Sequence, residues 1–386
     1  MKVKELLALI PEKDLMFLAA ETKVDHQVKK LNGIVMFQLI LFTLLDVQKA
    51  SLRMMEEVFS SMKFKIISGI VKDASTKFNS ISDRIATINP DFFEKIFIQL
   101  FEKFNQLLGE KDAIIRYDST MIAISSKLVE WGMKAGSKTD KVQLKYTIAT
   151  KGSLPCDVKI FDESNNVDEN TTIPNTILGN DISLSGIVVF DRGVSGRKAF
   201  NLLNDNNRKF VTRIKTDSVY KVVKENKVDA DFKKENQTIA IHEDLIIYLR
   251  ETSKGWTKNK FRLIKATIIS TQQPIYFLSN IEDIDAYEIA AIYRQRWDIE
   301  QFFRFIKQHL NATHLVARNK NGIRVMIYMT LILSILIIVY KNFNKLSTYK
   351  MAKLKFSLEL ERALTKQIVI LSGGDPDKLP QFFNDV

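Results

Sequence analysis

The chain has 386 residues, too many for one minimal core and suited to two or three linked units. Its 46% hydrophobic and 26% charged residues are a globular composition and exclude wholesale disorder. Lys+Arg 57 against Asp+Glu 45 leaves a net charge of +12, which favours a polyanionic partner without fixing which one.

Cys156 stands alone, so an intramolecular disulfide and a thiolate zinc site are excluded, and the thiol is read as buried. The four histidines, His26, His242, His309 and His314, are scattered along the chain. Carboxylates are therefore the metal ligands present in quantity, and such oxygen donors suit Mg²⁺ or Mn²⁺. At the N-terminus, MKVKELLALIPEKD has an apolar run soon broken by proline and charge. No signal peptide is read there, and a cytoplasmic location is expected.

Residues 1–109 read as helical. Asn89-Pro90-Asp91 is a helix start by residue type, with a capping amide, a proline for the first turn and an acid for the dipole. Phe93, Phe97, Leu100, Phe101, Phe104 and Leu108 follow as an amphipathic stripe. Packing accounts for that stripe, although a basic helical unit here could also grip a nucleic acid. From about residue 110 the period shortens. AIIRYD and STMIAIS read as two adjoining strands, then VQLKYTIAT, CDVKIFD and GIVVFD as further strands. Between them SNNVDENTTIPNTILGN is polar with little helical character, leaving at most a short helix within NTILG. SGRKAFNLLNDNN is a helix and KFVTRIK a strand, after which residues 215–275 hold short β-prone runs. One long helix begins near Ala286. VMIYMTLILSILIIVY (325–340) is short for a bilayer span and is read as a buried core helix, with a membrane anchor as the alternative. The last forty or so residues close on a loop-like tail, LSGGDPDKLP. The order suits an α/β core interrupted by an inserted β subdomain.

Chemistry concentrates at three acids. Asp118 follows AIIRY and Asp191 follows GIVVF, each where an apolar strand ends, although an aspartate there is also ordinary turn chemistry. On the long helix Tyr293, Arg296, Glu300 and Lys307 share one arc, with Arg304 close to the same line. Ile292, Ile299, Phe303, Ile306 and Leu310 form the neighbouring core stripe. A solvated face with i,i+4 ion pairs explains the arginines but not the tyrosine in their row. Phosphodiester cleavage with two metal ions requires carboxylates converging from separate elements, and these three acids could supply them. Arg296 and Lys307 would then clamp neighbouring phosphates.

Tyr293-x2-Arg296-x3-Glu300-x6-Lys307 reproduces a helix motif of the IS4 family of bacterial DDE transposases, which this sequence resembles over roughly residues 80–340. YDST around Asp118, FDRGVSG around Asp191, FVTRIK and the stretch NIEDIDAYEIAAIYRQRWDIEQFFRFIKQHL are similar to the family's other blocks.

The resemblance implies an RNase H-like core (110–214 and 276–345, the second part with the catalytic helix) and a β-rich insertion (215–275). It further implies an N-terminal helical DNA-binding domain (1–109), leaving 346–386 as a C-terminal segment. The implied activity is cut-and-paste DNA transposition, with end cleavage and strand transfer on terminal inverted repeats and target DNA by a homodimer, with no membrane. Asp118, Asp191 and Glu300 would hold Mg²⁺, with Mn²⁺ as a substitute, while Tyr293, Arg296 and Lys307 contact the DNA end. Characterised relatives excise through a DNA hairpin with a flipped base, which Trp256 or Trp297 could stack; packing under the helix is the other reading of Trp297, and a hairpin-turn aromatic that of Trp256. The alternatives are a nuclease with the same core that only hydrolyses DNA, and an inactive DNA-binding derivative.

Overall fold

The computed structural model describes residues 2–28, 30–46, 50–109, 113–124, 133–134, 142–161, 168–228, 238–251, 253, 255–310, 312, 316–317 and 319–378. His314, residues 164–167 of the polar run and the end of the tail lie outside them. Helices α1 (Val3–Ala8), α2 (Glu12–Glu21), α3 (Gly33–Asp46), α4 (Leu52–Ser60), α5 (Met62–Ser68), α6 (Phe78–Thr87) and α7 (Asp91–Leu108) precede the first strand. Asn89 accepts the backbone N–H of Asp91 (3.1 Å), and Pro90 already has helical dihedrals, so this helix starts as its residue types dictate. Gly109 ends it in the left-handed region at φ 61°. In the stripe, Phe93, Phe97, Leu100, Phe101 and Phe104 are buried, and Leu108 packs half-buried against the same core.

The partner of that stripe is α12 (Lys320–Phe343), which packs on α7, α6, α3, β4 (Leu154–Phe161) and α13 (Tyr349–Leu371). Every residue from Val325 to Tyr340 is buried. The helix is long and apolar enough to cross a membrane, yet 94% of its most apolar window is buried inside the protein. A helix that is hydrophobic all round needs neighbours all round, and here protein supplies them. The N-terminal helices, α12 and one side of the sheet thus belong to one continuous hydrophobic core.

Among the described residues ten strands form one mixed sheet. Besides β4 these are β1 (Ile114–Ile124), β2 (Met133–Lys134), β3 (Val142–Lys151), β5 (Ile187–Val189), β6 (Lys209–Ile214), β7 (Tyr220–Asn226), β8 (Ile239–Leu249), β9 (Phe261–Ile268) and β10 (Pro274–Ser279). Their order is β2-β3-β1-β5-β6-β10-β9-β8-β7, with β4 also on β3. β1 is antiparallel to β3 and parallel to β5, and β5 is parallel to β6.

Several expectations need correction. AIIRYD and STMIAIS are one strand, because β1 keeps an unbroken ladder with β3 from Ile115 to Ile124. QTIAIHE and LIIYLRE likewise merge into β8, whose register shifts between Ile241 and Glu243. Residues 220–268 are β-rich as expected but form no separate sheet, since β10 joins β9 to β6. The polar run contains a full helix, α8 (Glu169–Leu178), despite Pro174 inside it. Asp168 caps it by accepting the Asn170 N–H (3.0 Å). Its buried face is made of Thr172, Ile173, Pro174, Thr176 and Ile177, so threonine and proline carry the packing that a hydrophobic count overlooks.

Two polar staples fix how the catalytic half is reached. Asn280 accepts the Phe210 N–H (2.9 Å) and donates to the Arg208 carbonyl (2.9 Å), tying the end of β10 to the start of β6. Arg262 on β9 forms a buried bidentate pair with Asp244 on β8 (2.9 and 2.7 Å). Its remaining nitrogen donates to the carbonyls of Ile284 (2.6 Å) and Ile281 (3.3 Å). The strands of residues 220–268 are thereby bolted to the turn that leads into α10 (Ala286–Arg294).

Candidate active site

Asp118 and Asp191 meet through strand register. Arg116 on β1 pairs with Val189 on β5 in the parallel ladder, so two residues further on Asp118 and Asp191 stand level on the same face. The end of β5 is held by Thr212, whose hydroxyl donates to the Phe190 carbonyl (2.9 Å). Beyond it the turn after Asp191 rests on the start of α8. Asn170 accepts the N–H groups of Ser195 (2.7 Å) and Gly196 (2.5 Å). A Cβ at Gly193 would lie 1.7 Å from a Glu169 carboxylate oxygen, so only glycine lets this turn approach the helix.

The helix carrying the third acid is broken. The single helix expected from Ala286 is two, α10 and α11 (Trp297–His309), separated at Gln295-Arg296. Arg296 and Ile299 N–H groups bond three residues back (3.0 and 3.3 Å), the tighter turn that marks the interruption. Convergence survives the break. The Tyr293 hydroxyl donates to Asp191 (3.3 Å). Arg296 pairs with Glu300 (2.6 Å) and lies 4.0 Å from Asp191. Lys307 donates to the Thr120 hydroxyl on β1. The core stripe Ile292, Ile299, Phe303, Ile306 and Leu310 is buried throughout.

Tyr293, Arg296, Glu300 and Lys307 thus face the strand ends that carry Asp118 and Asp191. The other three DNA candidates stand apart. Arg304 is exposed on α11. Trp297 is 51% exposed, so it is not packed under the helix: it lies off the Ile299–Phe303–Ile306 stripe. Trp256 is 38% exposed and stacks under the Arg250 guanidinium (4.7 Å) beside the bridge Arg250–Trp256, which is the hairpin-turn aromatic of the sequence reading. Two further residues were not singled out from sequence. Glu169 adds a fourth negative charge acting on Asp118, and Arg116 binds the helix break.

The electrostatics follow from crowding. The Asp118 carboxyl is pushed up from 3.8 to about 6 by burial. Its Ser119 amide (2.8 Å) and Arg296 oppose that rise, and the charges of Glu169 and Asp191 add to it. Burial likewise pushes the Tyr293 phenol to about 12, so it stays protonated as a donor. Among the described residues no three acidic, histidine or cysteine side chains close around one point. Arg296 instead lies between Asp191 and Glu300.

A carboxyl raised in the folded state contributes stability below its unfolded pKa and loses it as pH climbs through the folded value. In metal-free protein Asp118→Asn is therefore expected to be more stable than the parent at pH 7, by about 1–3 kcal/mol. The gain should vanish below about pH 4. Urea unfolding in EDTA across this range measures it, and equal stability at pH 7 would refute the crowding.

Residues 109–336 match the family model described as Transposase DDE domain. That span covers β1 through most of α12 and contains all three acids. A protein of a Synechocystis species, named as a transposase for insertion sequence element IS4SA, is 29% identical over 223 residues, 57% of this chain and 57% of its own. A Sinorhizobium fredii protein named as transposase y4zB is 27% identical over 256 residues, covering 64% of this chain and 68% of its own. This chain therefore spans just over half the length of the first relative. A cryo-EM structure of the piggyBac transposase synaptic complex with hairpin DNA aligns with 91% of this chain and 74% of its own, at 12% identity and a TM-score of 0.44, too low to bear on the fold. The family match and the IS4SA relative bear out the resemblance carried by Tyr293, Arg296, Glu300 and Lys307, and the chain belongs to the DDE transposase family.

Proposed function

We propose that this chain cuts DNA at transposon ends and joins the freed 3′ ends to target DNA, using Mg²⁺ held by Asp118, Asp191 and Glu300. The observation that carries it is the convergence on Asp191: Tyr293 and Arg296, about a hundred residues downstream, both reach its carboxylate while Arg296 also pairs with Glu300.

The donor set fits such an ion. All three groups offer carboxylate oxygens, the ligands that Mg²⁺ prefers and Mn²⁺ accepts. The raised Asp118 carboxyl marks negative charge that a cation would relieve. When bound, the metal supplies Lewis-acid activation of the attacking and leaving oxygens. In cleavage water attacks phosphorus and the 3′ oxygen leaves as a hydroxyl; in transfer that hydroxyl attacks a target phosphodiester and displaces another 3′ oxygen. Arg296 and Lys307 are placed to bind the phosphates beside the scissile bond through charge-assisted hydrogen bonds. Tyr293 holds Asp191 in orientation by its hydroxyl hydrogen bond.

The sheet order around β1, antiparallel to β3 on one side and parallel to β5 and β6 on the other, supports an RNase H-like core. Residues 215–275 are then its insertion, the N-terminal helices a DNA-binding part, and a homodimer on paired inverted repeats the working form. Exposed Trp256 and Trp297 are available to stack on an extruded base, and the setting is the bacterial cytoplasm. A pre-cleaved transposon end incubated with target DNA and Mg²⁺ tests the reading. Joined product is expected, and cleavage without any joining would make the chain a nuclease instead.

A further inference from the structure

Arg116 is a guanidinium that a buried strand has no general use for. It is 3% exposed and interrupts the apolar run AIIRY. Burying a cation is costly unless acceptors converge on it, and here they converge on one place. Nε donates to the Gln295 backbone carbonyl (2.9 Å) and a terminal nitrogen to the Gln295 side-chain oxygen (2.5 Å). The other nitrogen donates to the Gly152 carbonyl (3.2 Å), and Asp298 lies 3.7 Å from Nε. Gln295 is the residue at which α10 stops, and Asp298 lies in the first turn of α11. A carbonyl at the end of a helix lacks an intrahelical donor, and Arg116 supplies one from the sheet.

We infer that Arg116 is a positioning residue for the catalytic site: it pins the break between α10 and α11 to β1 and so sets Arg296 and Glu300 against Asp118. This rests on the proposed DNA-cutting function for its activity readout only. The linkage is short. Arg116 and Asp118 share one face of β1, about 6.6 Å apart along the strand. Gln295 immediately precedes Arg296, and Glu300 lies about 7.5 Å further along the helix. A swing of about 15° at the break moves Glu300 by about 2 Å over that length. Catalytic constellations tolerate roughly 0.5 Å. Lysine retains the charge at 116 but lacks the planar fork that reaches both Gln295 oxygens at once.

Trp297 follows the break directly and reports on it. With Trp131→Phe and Trp256→Phe, it is the sole tryptophan of the chain. In that background Arg116→Lys should lower Trp297 fluorescence anisotropy and raise its acrylamide quenching about twofold, with the unfolding midpoint little changed. In the otherwise native sequence Arg116→Lys should lower the kcat of end cleavage at least about tenfold with KM for the DNA end unchanged. Gln295→Ala leaves the buried ladder untouched and should shift both readouts the same way by less. Combining it with Arg116→Lys should add little. Should Arg116→Lys fail to fold, Gln295→Ala and Asp298→Asn carry the test alone. Trp297 signals unchanged in the folded variants would overturn the proposal. If the parent chain does not cut DNA, the cutting function fails while the fluorescence result still decides the role of Arg116.

Discussion

Asp118→Asn, Asp191→Asn and Glu300→Gln are each expected to lower DNA-end cleavage by at least about a thousandfold while changing end affinity by less than about threefold. Each substitution keeps the side chain's size and removes only its charge, so packing on β1, at the end of β5 and on α11 survives. Two of the three together should cost little more than one, because groups that hold the same ions act as a unit. Cleavage kinetics and gel-shift titration on the same end fragment separate the two quantities. A parallel loss of affinity would move these acids from chemistry to binding. Lys307→Ala supplies the contrast: it should weaken end binding and flatten its salt dependence by about one phosphate, with a much smaller loss of rate at saturating DNA.

The largest expected loss of stability lies far from the acids. Arg262→Met should cost about 3–5 kcal/mol in urea unfolding. It strands the Asp244 carboxylate, whose side chain is 3% exposed, with only the Asn226 amide at 3.2 Å. It also removes the donor shared by the Ile281 and Ile284 carbonyls. Adding Asp244→Asn should restore a good part of the loss, because a missing charge pair is less costly than half of one. If the single variant is as stable as the parent, the pair is not the bolt between the outer strands and α10.

The candidate site was legible where local chemistry and distant packing agree. Glu300 declared itself because Tyr293, Arg296 and Lys307 fall on one side of a stripe that has to be buried, and breaking the helix at Gln295 does not reverse those sides. Nothing local forecasts the break: AIYRQRW contains neither glycine nor proline, and its cause is Arg116, nearly two hundred residues earlier. A lone arginine in an apolar strand was the available signal. Glu169 gave none, since its importance comes from the turn at Gly193 folding onto it. The helix α8 stayed hidden because threonine and proline form its buried face, and β1 was split in two by Ser119 and Thr120, polar residues that a sheet accommodates without interruption. Asp118 was supported chiefly by family resemblance, and its parallel register with Asp191 is a physical reason that sequence could not supply.

The burial of α12 on all its sides has a consequence for how the chain is made. A ribosome releases the N-terminal helices long before residues 320–343, yet these helices and that late segment complete one another's packing. The early part must therefore wait, with Phe93, Phe97 and their neighbours still lacking a partner, until most of the message has been read. Folding is then a single late closure rather than domain-by-domain assembly. A fragment ending before Lys320 should be caught by chaperones or precipitate, even though it would carry all three acids.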